Sequence, residues 1–279
     1  MMGHTCSARN LPPSATAAPC PLRDNVDAMH AMRPLAALLV LAGGCELAVD
    51  TKGLDGGCPR LAGATMAKVT TAAGDYCIDT TEATNAQYTQ FLASGFTLGT
   101  PPAGCEQATG TTPLDKWPPP PGYDSIPVVE VTWCQAYAFC AWAGKRLCGA
   151  IGGGALAEIN ATTPALSQWL YACSNDGALP YPYGNAYDPN ACGGQAAGSS
   201  IAPVGSHTGC VGGLPGLDDL SGNVWEWTDT CQSVQPTAFC HVLGGAFDST
   251  ATEMTCLGER NWTRTSAAAN IGFRCCLDL

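Results

Sequence analysis

The chain has 279 residues, of which 46% are hydrophobic and only 13% charged, with 33 glycines and 21 prolines. These proportions exclude a disordered chain and a helical bundle, and they are typical of a loop-rich globular fold. The formal net charge of −11 argues against nucleic-acid binding, because an acidic surface repels the phosphate backbone.

Cysteine is the most unusual feature of the composition, with 17 residues. The cysteines do not form paired C-x-x-C motifs, and the chain has only 4 histidines, so zinc-finger spacing is absent. Scattered cysteines in a globular chain are typical of a disulfide framework formed in an oxidising compartment. An even number of cysteines follows Cys45, which allows all of them to close as bridges.

The segment "MRPLAALLVLAGGC" (32–45) has a basic residue, an apolar run of about ten residues and small residues before a cysteine. The run is shorter than the roughly 20 residues that span a bilayer, so it predicts a secretory signal. "LAGGC" resembles a bacterial lipobox, which predicts lipidation of Cys45. We therefore predict an upstream and signal segment over 1–44, a tether over 45–60 and a domain over 61–279. The expected location is the bacterial envelope, lipid-anchored with the outer membrane favoured, or secreted.

The first half of the domain shows two strand-then-helix patterns. "YCID" (76–79) predicts a short strand, and Thr81 or Thr84 is placed to cap a following helix. "VVEV" (128–131) predicts a second strand. The helix after it is expected to bury one face, formed by Trp133, Tyr137, Cys140 and Ala141.

The second half is dominated by glycine and turn residues. A helix is predicted over 162–173, where Pro164 suits the first turn. Short strands are predicted within 241–247 and 271–277. We therefore predict one α+β domain that is poor in regular secondary structure and stabilised by disulfides.

Several segments, taken in order, resemble a known family: "YCIDTTEATNAQYTQF", "PVVEVTWCQAYAFCAWAGKRL", "YPYGNAYDPN", "PVGS", "DLSGNVWEWTD", "LGGAF" and "NIGFRCC". This family is that of the formylglycine-generating enzymes, or sulfatase-modifying factors. The resemblance covers about residues 60–279. It implies an irregular α+β fold related to the C-type lectin fold, with a calcium-stabilised core.

In the family, the turn before the Trp-Glu-Trp element binds calcium. By position, the resemblance implies side-chain oxygens from Asp219 and Glu226 and carbonyl oxygens from Gly222 and Val224. The spacing suits the ion, because a tight loop can turn alternating oxygens inward and calcium takes about six to eight hard oxygen ligands.

The residues of this turn also allow an interpretation without calcium. Asp219 and Asn223 are also residues that form ordinary turns, and Trp225 is also a typical core residue. A second calcium site of the family matches here only at Asn190 and the carbonyl of Ala191, because the following "GQAAGSS" lacks an acid.

The resemblance also implies an oxidase site. The family oxidises a substrate cysteine with O₂ and Cu(I), held by two thiolates, which are soft ligands suited to Cu(I). Those two positions fall on Ser249 and Met254, and Ala246 replaces a hydroxyl residue of the oxygen pocket, to which Trp225 and Asn270 also belong. A neutral hydroxyl and a lone thioether cannot form a bis-thiolate site, so copper is not expected.

Two disulfides are implied by the resemblance, Cys140–Cys275 and Cys173–Cys256. The second would leave Cys256 without a free thiol. The other cysteines bracket short stretches and suggest local bridges, although sequence does not fix connectivity. These candidates are Cys134–Cys148, Cys192–Cys210 and Cys231–Cys240.

We therefore predict an envelope-anchored member of the family that lacks the copper-thiolate pair and binds a peptide, a glycan or an envelope partner. One alternative is a formylglycine-generating oxidase that uses another cysteine pair including Cys256. A second alternative is an iron-dependent oxidase that holds its metal through His207 or His241. The family is one of oxidoreductases, and the sequence leaves open whether this chain is an enzyme.

Overall fold

Two four-stranded sheets are joined by the C-terminal segment of the chain, which contributes one strand to each. The structure is a computed structural model that describes residues 54–55, 57–106, 110–115 and 117–279. All described residues belong to one compact unit. The predicted signal segment and the lipidation at Cys45 lie outside the described residues.

The first sheet is antiparallel, in the order β3-β4-β12-β5. A small hairpin of β1 and β2 precedes it in the chain. These strands are β1 (Leu54–Asp55), β2 (Cys58–Pro59), β3 (Met66–Val69), β4 (Tyr76–Asp79), β5 (Arg146–Leu147) and β12 (Cys275–Asp278). The strand predicted at 76–79 is therefore confirmed. Cys58 is buried and bridged to Cys77, so the packed domain includes residues that we predicted as part of the tether.

The second sheet has the order β10-β9-β8-β11, with β11 parallel to β8 and the other pairs antiparallel. A separate hairpin of β6 and β7 precedes it. These strands are β6 (Val211–Gly212), β7 (Leu214–Asp218), β8 (Trp225–Cys231), β9 (Phe239–Leu243), β10 (Glu259–Thr263) and β11 (Ile271–Phe273). The strands predicted within 241–247 and 271–277 are present. Strand β8 was not predicted, because a strand buried on both faces lacks the alternation that marks a half-buried one.

Helix α1 (Asn85–Ala93) begins at one of the two predicted caps. Thr84 accepts a hydrogen bond from the backbone N–H of Gln87, and the side chain of Gln87 accepts one from the N–H of Thr84. This reciprocal arrangement satisfies two otherwise unpaired donors of the first turn. Thr84, rather than Thr81, is thus the cap.

Helix α2 (Trp133–Trp142) is buried almost all round. Phe139 and Ala136 are inaccessible, whereas Tyr137 and Ala141 of the predicted face are only half-buried. The prediction of a single buried face was wrong, because the core encloses this helix on several sides. The strand predicted at 128–131 is also absent, since Glu130 has a φ of 58° that breaks the extended backbone.

Helix α3 (Gln168–Ser174) is shorter than predicted. Ser167 caps it by accepting a hydrogen bond from the Leu170 N–H, and Pro164 instead begins a separate 3₁₀ turn (Pro164–Leu166). No helix in the described part of the chain is long and apolar enough to cross a membrane.

All fourteen cysteines in the described residues form disulfides. The two bridges implied by the resemblance are present, and so are two of the three local candidates. The third, Cys134–Cys148, was wrong, because Cys134 in the first turn of α2 is bridged to Cys105, and Cys148 after β5 is bridged to Cys276 on the neighbouring strand β12. The seven bridges are Cys58–Cys77, Cys105–Cys134, Cys140–Cys275, Cys148–Cys276, Cys173–Cys256, Cys192–Cys210 and Cys231–Cys240.

Arg274 lies between β11 and β12, where the two sheets meet, and is fully buried. Its guanidinium donates to both carboxylate oxygens of Glu226 on β8, at 2.7 to 3.0 Å. It also donates to the backbone carbonyls of Asp79 and Asp218, at 3.1 and 2.9 Å. Burial alone lowers the pKa of Arg274, but the Glu226 carboxylate outweighs it and raises this pKa above its ordinary value. The side chain therefore stays charged and links β4, β7 and β8.

Replacing Arg274→Met is expected to lower the free energy of unfolding by about 3–5 kcal/mol, because it leaves the Glu226 carboxylate buried and unpaired. Urea denaturation measures this loss. The control is Lys68→Met, which removes a partly exposed ion pair with Asp75 and is expected to cost much less. Equal losses in the two variants would contradict the central role of Arg274.

Candidate functional site

Ser249 follows β9 and is fully buried. Its Oγ accepts a hydrogen bond from the N–H of Ala246 at 3.0 Å, and its own N–H donates to the carbonyl of Ala246 at 2.9 Å. The hydroxyl therefore closes a local turn. It stands where the resemblance places the first copper thiolate, and it faces backbone rather than solvent.

Met254, at the second thiolate position, is also buried and occupies space left by three glycines. A Cβ added to Gly194 would lie 2.0 Å from its Sδ, and one added to Gly222 would lie 2.8 Å from its Cε. A Cβ on Gly245 would come within 3.1 Å of its Cα. The thioether is thus enclosed by backbone, and Ser249 lies beside it, since its carbonyl is 3.5 Å from the same Gly194 Cβ.

Cys256 and His241, two residues of the alternative redox sites, already have partners in the structure. Cys256, the candidate for another thiolate, is bridged to Cys173. The ring nitrogens of His241 are hydrogen-bonded to Glu259 and Glu158, at 2.9 and 3.0 Å. Within the described ranges, no three His, Cys, Asp or Glu side chains form a group that could hold a metal.

Of the three residues assigned to the family pocket, Trp225 and Asn270 lie in contact. Trp225 is fully buried, its backbone N–H donates to the carbonyl of Asn270 at 2.8 Å, and its indole Nε1 has no hydrogen-bond partner. The guanidinium of Arg260 lies 5.2 Å from the centre of the Trp225 ring. Ala246 is buried, and the Asn270 side chain donates to Asp248.

A groove of about 530 Å³ adjoins this pocket through Phe247 and Ala269, the neighbours of Ala246 and Asn270. The proline-rich stretch at 117–120 forms one wall of the groove. The lining is mainly aromatic and apolar: Trp117, Pro118, Tyr123, Ile201 and Phe247. Asp115 and Glu130 add acidic groups.

The calcium ligands implied by the resemblance fit only in part. Both carboxylate oxygens of Glu226 accept hydrogen bonds from Arg274, and Oε2 accepts another from Trp169 Nε1 at 2.7 Å. With its lone pairs taken by a cationic side chain and an indole, Glu226 does not fit as a calcium ligand.

The remaining residues that the resemblance implies as calcium ligands lie in different environments. Asp219 Oδ2 accepts a hydrogen bond from the Gly205 N–H at 2.6 Å, whereas its Oδ1 is buried without a partner. Gly222 has a φ of 75°, and Val224 is buried beside it in the same turn. Asn190 is exposed, with its N–H bonded to Asp188 Oδ1 at 2.9 Å, so the second calcium site stays a prediction.

Glu82 is a buried carboxylate that sequence reasoning missed. Its Oε1 accepts a hydrogen bond from Asn223 Nδ2 at 2.9 Å, and its Oε2 has no partner. Burial, and then the negative charge of Asp219, raise the pKa of Glu82 well above its ordinary value. Burial likewise raises the pKa of Asp219 to about 6. No local sequence pattern identifies Glu82 as a site residue. It comes near Asp219 only because its segment packs against the 219–224 turn.

Comparison with known proteins identifies the family of the chain. The family described as "Sulfatase-modifying factor enzyme 1-like domain" matches residues 26–279. The chain is 32% identical over 170 residues to the Inactive C-alpha-formylglycine-generating enzyme 2 of Bos taurus, which covers 54% of this chain and 50% of that protein. It is 30% identical over 200 residues to the Formylglycine-generating enzyme of Mus musculus, covering 58% and 49%.

Among solved structures, the crystal structure of CarF matches with a TM-score of 0.49 and 22% identity, over 74% of this chain and 87% of that one. The chain spans about half the length of the curated relatives it matches. Because the family match extends over residues 26–279, the chain belongs to the sulfatase-modifying factor family and has its irregular, C-type-lectin-like α+β fold.

Proposed function

We propose that this chain is a non-catalytic member of its family, which binds a polypeptide segment in the groove beside Phe247 and is held in the bacterial envelope by a lipid on Cys45. One observation carries the proposal. The side chains at the two copper-thiolate positions, Ser249 and Met254, are buried and engaged in packing and hydrogen bonding.

The chemistry of these side chains argues against copper. Cu(I) is held by soft ligands, and the Ser249 hydroxyl is hard and neutral. The thioether of Met254 is enclosed between glycines, and Cys256 is oxidised in a bridge. A match to a relative named as inactive supports the same conclusion.

The groove supports a binding role. Rings of Trp117, Tyr123 and Phe247 and the adjoining prolines offer an apolar surface, on which Tyr123 is 47% exposed. Asp115 and the net charge of −11 favour a partner with basic residues. A polypeptide that combines an apolar side chain with a nearby Lys or Arg fits both properties.

Copper titration tests the loss of catalysis. The wild-type protein is expected to bind no stoichiometric Cu(I) in competition with a chelator and to leave a cysteine-containing substrate peptide unoxidised. The double variant Ser249→Cys, Met254→Cys is expected to gain about one equivalent of Cu(I), because both positions adjoin Gly194 and thiolates are the preferred ligands. Ser249→Ala, Met254→Leu serves as the matched control. Stoichiometric copper on the wild-type protein would refute the proposal.

Selection from a displayed-peptide library tests the groove. Selected peptides are expected to combine apolar and basic residues, and Phe247→Ala is expected to weaken their binding about tenfold, because the ring forms part of the wall. Leu257→Ala is the control, since Leu257 is 53% exposed and does not line the groove. Binding that is equally strong in both variants would place the partner elsewhere.

Fractionation tests the anchor, which rests on the lipobox. The wild-type protein expressed in a bacterial host is expected in the membrane fraction, and Cys45→Ser is expected to move it to the soluble fraction, because the acyl chains supply the membrane affinity. Ser7→Ala is the control, because it lies outside the lipobox. A wild-type protein that is already soluble would contradict the anchor.

A further inference from the structure

Two segments of the chain share the pattern Glu-x-Asn-x-Thr, and neither takes part in the function proposed above. They are "EINAT" (158–162) and "ERNWT" (259–263). Each contains Asn-x-Thr with no proline between, which is the acceptor sequence for N-linked glycans on the surface of exported proteins. The disulfides of the domain are typical of a chain that is exported to an oxidising compartment, where such an acceptor can be modified.

The two segments lie side by side on one surface of the folded protein. His241 on β9 is hydrogen-bonded through one ring nitrogen to Glu158 at 3.0 Å and through the other to Glu259 at 2.9 Å. Glu158 begins a single 3₁₀ turn (Glu158–Asn160), and Glu259 begins β10, the edge strand of the second sheet. Solvent reaches this surface, because Ile159 is 89% exposed. The shared histidine thus places two copies of one sequence pattern in different backbone settings.

The backbone at the first segment is a surface turn held by local bonds. The N–H groups of Asn160, Ala161 and Thr163 each donate to the carbonyl three residues earlier, at 2.8 to 3.0 Å. Such a turn can open without disturbing a sheet. Thr162 is exposed, and neither its hydroxyl nor the Asn160 side-chain amide makes a hydrogen bond with another described residue. Both groups of the acceptor are therefore available to an enzyme.

Asn261, in the second segment, is exposed but held in a strand. The register of β10 places it opposite His241 on β9. Trp262 packs against the core, and the hydroxyl of Thr263 is hydrogen-bonded to Ser266 Oγ at 2.5 Å. The strand would have to leave its sheet before this segment could enter an active site, and opening a paired strand costs more than opening a surface turn.

We propose that Asn160 is an acceptor of an N-linked glycan and that Asn261 is not one in the folded protein. In the transfer, the side-chain nitrogen of Asn160 bonds to C1 of a sugar, and the bond from that carbon to the oxygen of a lipid-linked diphosphate breaks. The diphosphate leaves with the bonding electron pair, and the nitrogen gives one proton to solvent. The co-reactant is therefore a lipid-diphosphate oligosaccharide, and an oligosaccharyltransferase catalyses the step.

Glycan transfer to the purified full chain, with its disulfides closed, tests the site. The probes are a bacterial oligosaccharyltransferase that accepts Glu-x-Asn-x-Thr and a lipid-linked oligosaccharide. The intact mass is expected to rise by one glycan, which peptide mass spectrometry is expected to place on Asn160. This test requires neither export nor the lipid at Cys45 nor a ligand in the groove, so its failure is distinct from a failure of the proposed function.

The same chain, reduced and unfolded, is the control for the effect of the fold. It is expected to accept a second glycan on Asn261, because unfolding releases Trp262 from the core and the Thr263 hydroxyl from Ser266. If Asn261 stays unmodified in the unfolded chain, its sequence rather than the strand excludes it, and the structural basis of the proposal fails.

Substitutions in the turn separate the acceptor from the fold. Asn160→Gln and Thr162→Ala are each expected to abolish the modification of the folded protein, the second because Asn-x-Ala is not an acceptor. Thr162→Ser is expected to keep the modification, since serine also supplies the hydroxyl. Asn261→Gln is the matched control in the other segment and is expected to keep it too. Because Thr162 is exposed, both of its variants are expected to unfold at the wild-type temperature.

Three results with the folded protein would overturn the proposal. A wild-type protein that stays unmodified would show that the turn does not admit the segment to the enzyme. A glycan that persists in Thr162→Ala would lie on a residue other than an Asn-x-Thr acceptor at 160. A glycan found on Asn261 and not on Asn160 would reverse the assignment.

Discussion

The buried ion pair between Arg274 and Glu226 is the contact on which both sheets depend. A guanidinium without solvent is tolerated only when a carboxylate balances its charge and other acceptors take its remaining donors. Here those acceptors come from β4, β7 and β8, so this one side chain fixes the relative positions of three strands. The turn at 219–224 is held between two of these contacts, which in turn positions Trp225 and the pocket beside it.

The disulfides reinforce the same junction. Successive residues of a strand point to opposite faces, so Cys275 and Cys276 on β12 reach different parts of the core. Cys275 bridges to Cys140 in α2, and Cys276 bridges to Cys148 after β5. These bridges close loops of 135 and 128 residues, for which the chain-entropy estimate of stabilisation is large. The C-terminal strand is thus tied to both sides of its sheet.

The two positions that the resemblance assigns to copper, Ser249 and Met254, belong to the packed core. Packing around Met254 depends on Gly194, Gly222 and Gly245, and Ser249 closes a turn at the same place. Such a site is stable as a piece of core and offers no thiolate. The groove next to it has an apolar surface with acidic groups. A scaffold of this kind is suited to binding without turnover, which is the role we propose for it.

The sequence by itself determined the family, the strand at 76–79, two candidate caps for α1 and an even set of cysteines, because each of these depends on neighbouring residues or on the order of motifs. The pocket of Trp225, Ala246 and Asn270, which the family resemblance implies, stays a prediction. Tertiary structure decided that Cys134 pairs with Cys105, that α2 is buried almost all round, and that Glu82 meets Asp219. These features depend on contacts between segments far apart in the chain, and no local periodicity or spacing encodes which distant partner satisfies a buried charge or thiol.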